Sequence, residues 1–405
     1  MRLLYLTPTA AMGGAERVLL DLLGMIRVAR PSWPIGLIVG NDGPMVADAQ
    51  RLGVSTTVLP FPGDLARLGD SGLSSPANWA RFASHAIGGG FSTLGYVRRL
   101  RNAVASFSPD LVHTNGIKMH VLGALVRPPG AALVWHFHDY PSARSVTSRL
   151  VKSLKSRCNA VVAVSDSVAD DLRRELGTSA DVRTIWNSVD LERFAPDGPR
   201  LDLDALAGLP PALPGVLRIG LVATFARWKG HLKFLEMLHA LAGTHDFRAY
   251  IVGGPLYETS GSQVSIEELR AAIARFQLTQ VVGLTGFVKD SAAALRSLDI
   301  VVHTSTSPEP FGLVIAEAMA AGRSLVVSDA GGVAELVAHE QNALSYQSGN
   351  VEAMTRQVGR LLEDRELRLR LGASAHQSAQ NQFNPQRVCR QMLDLYAQFD
   401  RAKAA

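Results

Sequence analysis

The chain has 405 residues, 47% hydrophobic and only 19% charged, with a net charge of +5. That length exceeds what one hydrophobic core usually serves, so two domains are expected, and the composition excludes a disordered chain. No apolar run approaches the roughly 18 residues of a membrane span.

Charge is uneven. Residues 1–200 carry 22 Lys and Arg against 16 Asp and Glu, and the remainder 19 against 20. A basic first half fits an anionic partner, either an acidic membrane surface or an anionic acceptor, or else scattered solvated charge. The apolar opening at 3–6 stops at the turn Thr7-Pro8-Thr9, which reads as a buried strand rather than a signal peptide, so the expected location is the cytoplasm. Cys158 and Cys389 lie far apart without metal-ligand spacing; reduced thiols are the simpler reading and a single disulfide the other.

In chain order, β-rich apolar runs at 3–6, 35–39, 111–113, 133–137 and 160–164 alternate with helical patterns and predict a first parallel sheet. Met12-Gly13-Gly14-Ala15-Glu16 follows the first run and opens a helix to about Gly24. Glycines there let a ligand approach the backbone, and the free amides of a helix start, at Gly14, favour an anion. Residues 62–97 read as the least regular part of this domain, with Trp79, Phe82, Ile87, Phe91, Tyr96 and a Gly88-Gly89-Gly90 run. They are either a surface insertion or a lid that contacts acceptor or membrane. His138, just past the run at 133–137, is placed to hydrogen-bond a sugar hydroxyl at the carboxyl end of the sheet; His136 reads as structural. Residues 144–157 combine Arg144, Arg149, Lys152, Lys155 and Arg157 with Val146, Leu150, Val151 and Leu154, a pattern suited to an anionic lipid surface or to an ordinary exposed helix.

Prolines at 196–199 and 210–214 place the domain boundary near 197–215. Asp202-Leu203-Asp204 has the spacing of some metal sites, but it follows no strand and reads as a helix start, so no metal is expected. A second sheet is predicted from runs at 217–222, 248–252, 281–284, 300–303 and 324–327. After its first strand come Arg227, Lys229 and Gly230, two cations and a glycine suited to a diphosphate leaving group. After the strand ending at His303 comes Ser307-Pro308-Glu309-Pro310-Phe311-Gly312-Leu313, with Glu317 eight positions past Glu309. A helix is expected to start near Phe311 with Pro310 in its first turn, so that Phe311, Gly312 and Leu313 offer amides to a phosphate. The glycine turn at 329–335 is part site or part architecture. Residues 385–399 predict a helix with Val388, Met392, Leu393 and Tyr396 on its buried side.

These motifs together resemble the family-4 retaining glycosyltransferases with the GT-B fold, over nearly the whole chain and in order. Besides the segments above, the resemblance is carried by Pro109-Asp110-Leu111-Val112-His113 and His138-Asp139. It is also carried by Trp186-Asn187-Ser188-Val189-Asp190 and Thr285-Gly286-Phe287-Val288, and most specifically by the Glu309 to Glu317 register. The resemblance implies two Rossmann-like doubly wound parallel-sheet domains facing across a cleft. These are an acceptor-side domain at 1–197, a nucleotide-sugar-binding domain at 198–384, and a last helix at 385–405 that crosses back to the first domain. It implies retaining, metal-independent transfer from a nucleotide-diphosphate sugar to a glycan or lipid-linked acceptor, with no cofactor and no nucleic acid partner. Under it, Glu309 meets hydroxyls of the transferred sugar, His138 approaches the same sugar, Glu317 holds the ribose and Val288 lies near the base. Gly14, Lys229, Phe311, Gly312 and Leu313 neutralise the diphosphate. The chain departs from the family at Thr224, where an arginine is common, and Arg227 is the expected substitute. A nucleotide-sugar-binding partner subunit without turnover is the alternative in another functional class.

Overall fold

The computed structural model describes residues 1–62, 76–143, 145–177, 181–255 and 262–400, with the side chains of 76–91 and 145–147 excepted. The chain divides into two compact units. One comprises Met1–Ser188 together with the chain from Pro385 onward, and the other is Val189–Asn384.

The first unit is built on a seven-stranded, all-parallel sheet in the order β3-β2-β1-β4-β5-β6-β7. Its strands are β1 (Leu3–Thr7), β2 (Ile35–Val39), β3 (Ser55–Val58), β4 (Leu111–Asn115), β5 (Ala132–Phe137), β6 (Ala160–Ala163) and β7 (Val182–Thr184). The second unit repeats the plan with six parallel strands in the order β10-β9-β8-β11-β12-β13. These are β8 (Leu217–Val222), β9 (Phe247–Val252), β10 (Val282–Gly286), β11 (Ile300–His303), β12 (Ser324–Ser328) and β13 (Leu344–Tyr346). In each sheet the strand order reverses beside the first strand, between β1 and β4 and between β8 and β11. Loops diverge there, leaving a crevice at the carboxyl ends of the strands where such sheets bind ligands. Helices cover both faces, so β1, β2, β4, β5 and β6 are buried throughout, as parallel strands require.

The first core joins these strands to the helix Gly14–Ala29 and to the C-terminal helix Pro385–Ala397, which contributes Val388, Cys389, Met392, Leu393, Leu395 and Tyr396. Burying an apolar side chain of this size contributes roughly 1.5–3 kcal/mol, so this helix is a full member of the first unit. Its Tyr396 hydroxyl lies 3.0 Å from the Tyr5 hydroxyl and 2.6 Å from His113 Nδ1, a buried polar chain that pins the helix to β1 and β4. Cys158 and Cys389 are free thiols.

Several elements depart from the sequence expectations. The helix opened by Gly14 runs on to Ala29 rather than ending near Gly24. The segment read as irregular contains a helix at Pro76–Phe107 that runs through the three consecutive glycines. Tyr96, grouped there with candidate lid aromatics, is fully buried against Phe61. Residues 63–75 of that proposed lid, and the side chains of Trp79, Phe82, Ile87 and Phe91, lie outside the described residues, as does Arg144. The proline-rich stretch read as a boundary belongs to the second unit. The buried Arg296 clamps it by donating to the carbonyls of Arg193, Ala195 and Pro199 at 2.7–3.2 Å.

Replacing Tyr396 with Phe strands the Tyr5 hydroxyl and His113 Nδ1 in the core. The expected loss is about 1–3 kcal/mol of stability, read from urea denaturation; an unchanged midpoint removes the pinning role.

Candidate functional site

A buried polar cluster of the second unit forms where the loops after β8, β11 and β12 are laced together beside the strand-order reversal. Thr304 Oγ1 donates to the Lys229 carbonyl at 2.6 Å, and the Thr306 amide donates to the Trp228 carbonyl at 2.7 Å. The Glu309 amide donates to the Ala330 carbonyl at 3.1 Å, and the Gly332 amide donates back to the Glu309 carbonyl at 2.7 Å. Gly230 makes the first approach possible. It sits at φ +75°, and a Cβ there would lie 1.9 Å from the Thr304 carbonyl oxygen.

This lacing brings Lys229 and Glu309 together. Lys229 Nζ donates to Glu309 Oε1 at 2.9 Å and to Oε2 at 2.6 Å, and it also lies 4.1 Å from the centre of the Trp228 ring. Glu309 is buried, which alone would raise its pKa. Lys229 and then His303 overcome that burial and hold the carboxyl well below its ordinary range. His303 Nε2 at 3.3 Å and Ser305 Oγ at 3.1 Å also face Oε2, and Ser328 Oγ stands 3.0 Å from His303 Nδ1. The sequence reading had passed over His303, Ser305 and Ser328. Their one sequence signal is position, since His303 ends β11 and Ser328 ends β12.

The helix carrying Glu317 starts at Leu313, two residues later than expected, because Gly312 is its N-cap at φ +88°. Pro310 therefore precedes the helix instead of occupying its first turn. Gly312 has no side chain to cap the helix, so the amides of Leu313 and Val314 have no acceptor within it, as an anion site requires, while that of Ile315 donates to the Gly312 carbonyl at 2.9 Å. Phe311 is buried and meets Phe383 edge-on at 6.0 Å between ring centres, which gives it a packing role. Glu317 is buried in the middle of its helix. Val288, half-buried, follows β10 at the sheet edge. Arg227 is half exposed and held by Glu268 through two contacts of 2.9 Å, so it is not joined to the Lys229–Glu309 pair. Solvent screens such an exposed pair strongly, so an anion can take Arg227 over. Asp202 is a helix N-cap, and Asp204 is buried against Tyr250 and Arg218, which leaves both with structural work. Among the described residues no group of three or more His, Cys, Asp or Glu is placed to hold a metal ion.

In the first unit, Gly14 is the first residue of the helix after β1 and Gly13 its uncapped N-cap. Glu16 reaches back to the Gly13 amide, and burial pushes its carboxyl up to about 7. His138 directly follows β5, its ring centre 4.2 Å from that of His136, which lies 5.3 Å from His113. Burial brings His138 down to about 4 and His113 to about 3, and lowers His120 and His136 as well. His138 therefore enters any reaction near neutral pH as an uncharged hydrogen-bonding ring.

The four rings fix a pH dependence. Unfolded histidines take up protons near pH 6.5 and the folded ones do so only well below it. Their contribution is therefore full above pH 6.5 and lost progressively toward pH 4. The melting temperature should fall steadily over that range, and a constant value between pH 7.5 and 5 would contradict the burial of these rings as neutral groups.

Residues 215–378 match the family described as glycosyl transferases group 1, and residues 45–193 match glycosyltransferase family 4. The chain is 29% identical over 295 residues to a D-inositol 3-phosphate glycosyltransferase of Xylanimonas cellulosilytica, covering 71% of this chain and 67% of that one. It is 26% identical over 303 residues to a sulfoquinovosyl transferase of Arabidopsis thaliana, covering 70% and 55%. Among solved structures it resembles HepE of Anabaena in complex with UDP-glucose, with a TM-score of 0.79, 24% identity and coverage of 98% and 100%. It also resembles sucrose-phosphate synthase of Thermosynechococcus elongatus, with a TM-score of 0.78, 19% identity and coverage of 99% and 100%. The chain thus spans between about half and two thirds of the first curated relatives. Taken with the repeated doubly wound sheets, the two family matches mean that the chain belongs to the family-4 glycosyltransferases with the GT-B fold.

Proposed function

We propose that the protein transfers a sugar from a nucleotide diphosphate to a glycan or lipid-linked acceptor, keeping the anomeric configuration and using no metal. The observation that carries this reading is the buried Lys229–Glu309 pair beside the uncapped helix at Gly312. Breaking the bond to the sugar leaves extra negative charge on the diphosphate. A fixed cation and helix amides stabilise that charge more in the transition state than in the ground state, as catalysis requires. Lys229 supplies the cation, with Arg227 recruited from Glu268, which replaces the charge missing at Thr224. Glu309 accepts hydrogen bonds from hydroxyls of the transferred sugar, and Glu317 from the ribose. His138 is the first unit's uncharged group for the donor sugar, and Gly14 its anion-binding amide. The UDP and UDP-glucose complexes of HepE support a nucleotide-sugar donor.

A membrane-bound acceptor is favoured by the first unit's surface. Leu94, Leu125 and Leu150 are exposed on three successive helices, Pro76–Phe107, Ile117–Val126 and Ser145–Leu154. Arg101 and Arg157 donate to the Leu125 and Ala124 carbonyls, and Arg98, Arg99, Arg149 and Lys152 are exposed on the first and third of these helices. Apolar tips among cations suit adsorption to an anionic bilayer. No described helix is long and apolar enough to cross a membrane. Flotation with vesicles rich in phosphatidylglycerol should show binding in low salt that is lost in high salt; no binding in either ends this part of the proposal.

The activity is tested by screening uridine and guanosine diphosphate sugars by thermal shift, then following turnover and slow donor hydrolysis with the best ligand. Glu309→Ala should reduce turnover roughly 10²-fold or more, and Glu317→Ala should chiefly raise the donor KM. Near-normal turnover of the Glu309 variant removes its role. Absence of any turnover in the wild type favours a nucleotide-sugar-binding partner subunit instead.

A further inference from the structure

Lys229 has two tasks in this reading. It neutralises the buried Glu309, and it is also the cation that meets the diphosphate. A charge shared with the diphosphate is partly withdrawn from Glu309, and a buried carboxylate then depends on its remaining hydrogen bonds.

Two of those bonds come from groups of fixed geometry. Glu309 Oε2 faces His303 Nε2 at 3.3 Å and Ser305 Oγ at 3.1 Å. An ionised carboxylate only accepts, so the hydrogen of this contact must sit on Nε2. In the neutral ring Nδ1 is then an acceptor, and the Ser328 hydroxyl 3.0 Å away donates to it. The backbone around the ring is equally fixed. The His303 carbonyl accepts from the Tyr346 hydroxyl at 2.9 Å, and His303 pairs in register with Val327, the neighbour of Ser328. His303, Ser305, Ser328 and Glu309 are all buried, so water does not compete for these bonds.

We infer that His303, its tautomer set by Ser328, is a positioning residue that keeps the Glu309 carboxylate oriented toward the transferred sugar while Lys229 serves the diphosphate. This rests on the assignment of Glu309 to the sugar hydroxyls. The Nε2 donor acts on Glu309 alone, so its loss should slow the chemical step and leave donor affinity nearly intact.

The test compares His303→Leu with His303→Gln in the full chain, using the best nucleotide sugar of the thermal-shift panel. A glutamine amide can donate from near the position of Nε2; leucine cannot. His303→Leu should lower kcat roughly tenfold or more with the donor KM held within about threefold, and His303→Gln should recover most of the loss. Wild-type kcat in the leucine variant overturns the inference. So does a glutamine variant as slow as the leucine one, since packing alone then explains the effect. Should the leucine variant fail to fold, nitrogen-15 NMR of the wild-type ring decides: hydrogen on Nε2 is expected, and hydrogen on Nδ1 alone overturns the inference. Failure of the underlying reading looks different, because Glu309→Ala itself would then turn over normally.

Discussion

A carboxylate buried at Glu309 is tolerable only if it is neutralised, and its neutralising partner stands 80 residues away in the chain. That requirement governs the second unit. The loop after β8 must approach the loop after β11 closely enough for Lys229 to reach, which puts glycine at position 230. Strand β11 must end in a hydrogen-bonding ring, and β12 must end in a hydroxyl that orients the ring. The reversal of strand order between β8 and β11 supplies the crevice for this arrangement. The sheet is thus less a scaffold carrying a site than the means by which two opposite charges meet out of water.

Much of this was legible in the sequence, for physical reasons that differ from element to element. The central strands are buried on both faces, so Ile35–Val39, Leu217–Val222 and Ile300–His303 stand out as short apolar runs with turns at either end. Three of the four edge strands, Ser55–Val58, Val182–Thr184 and Leu344–Tyr346, were missed because they are only three or four residues long and partly wet; the fourth, Val282–Gly286, is longer and was read. The three glycines at 88–90 argued for irregularity, yet the backbone there is helical. Local propensity is a weak prior against the rest of a long helix.

The polar cluster was legible where charge or glycine marked it, as at Lys229, Gly230 and Glu309. It was not legible where an ordinary residue acts through its neighbour. Ser328 lies 19 positions beyond Glu309, and nothing in its local sequence distinguishes it from any serine ending a strand. Only strand pairing places it beside His303. The proline-rich stretch misled for a related reason: prolines signal an irregular path, but a buried arginine fastens that path to the unit that follows it.

Because the helix beginning at Pro385 belongs to the first unit, the second unit is an insertion within it. The ribosome therefore delivers a first unit that lacks Tyr396, Met392 and their neighbours, while the whole of Val189–Asn384 can emerge and close its own core first. The usual order of folding during synthesis, amino-terminal domain before the next, is inverted. A chain interrupted before Pro385 would carry a second unit with its core complete, joined to a first unit with open apolar surface, a natural substrate for chaperones and proteases.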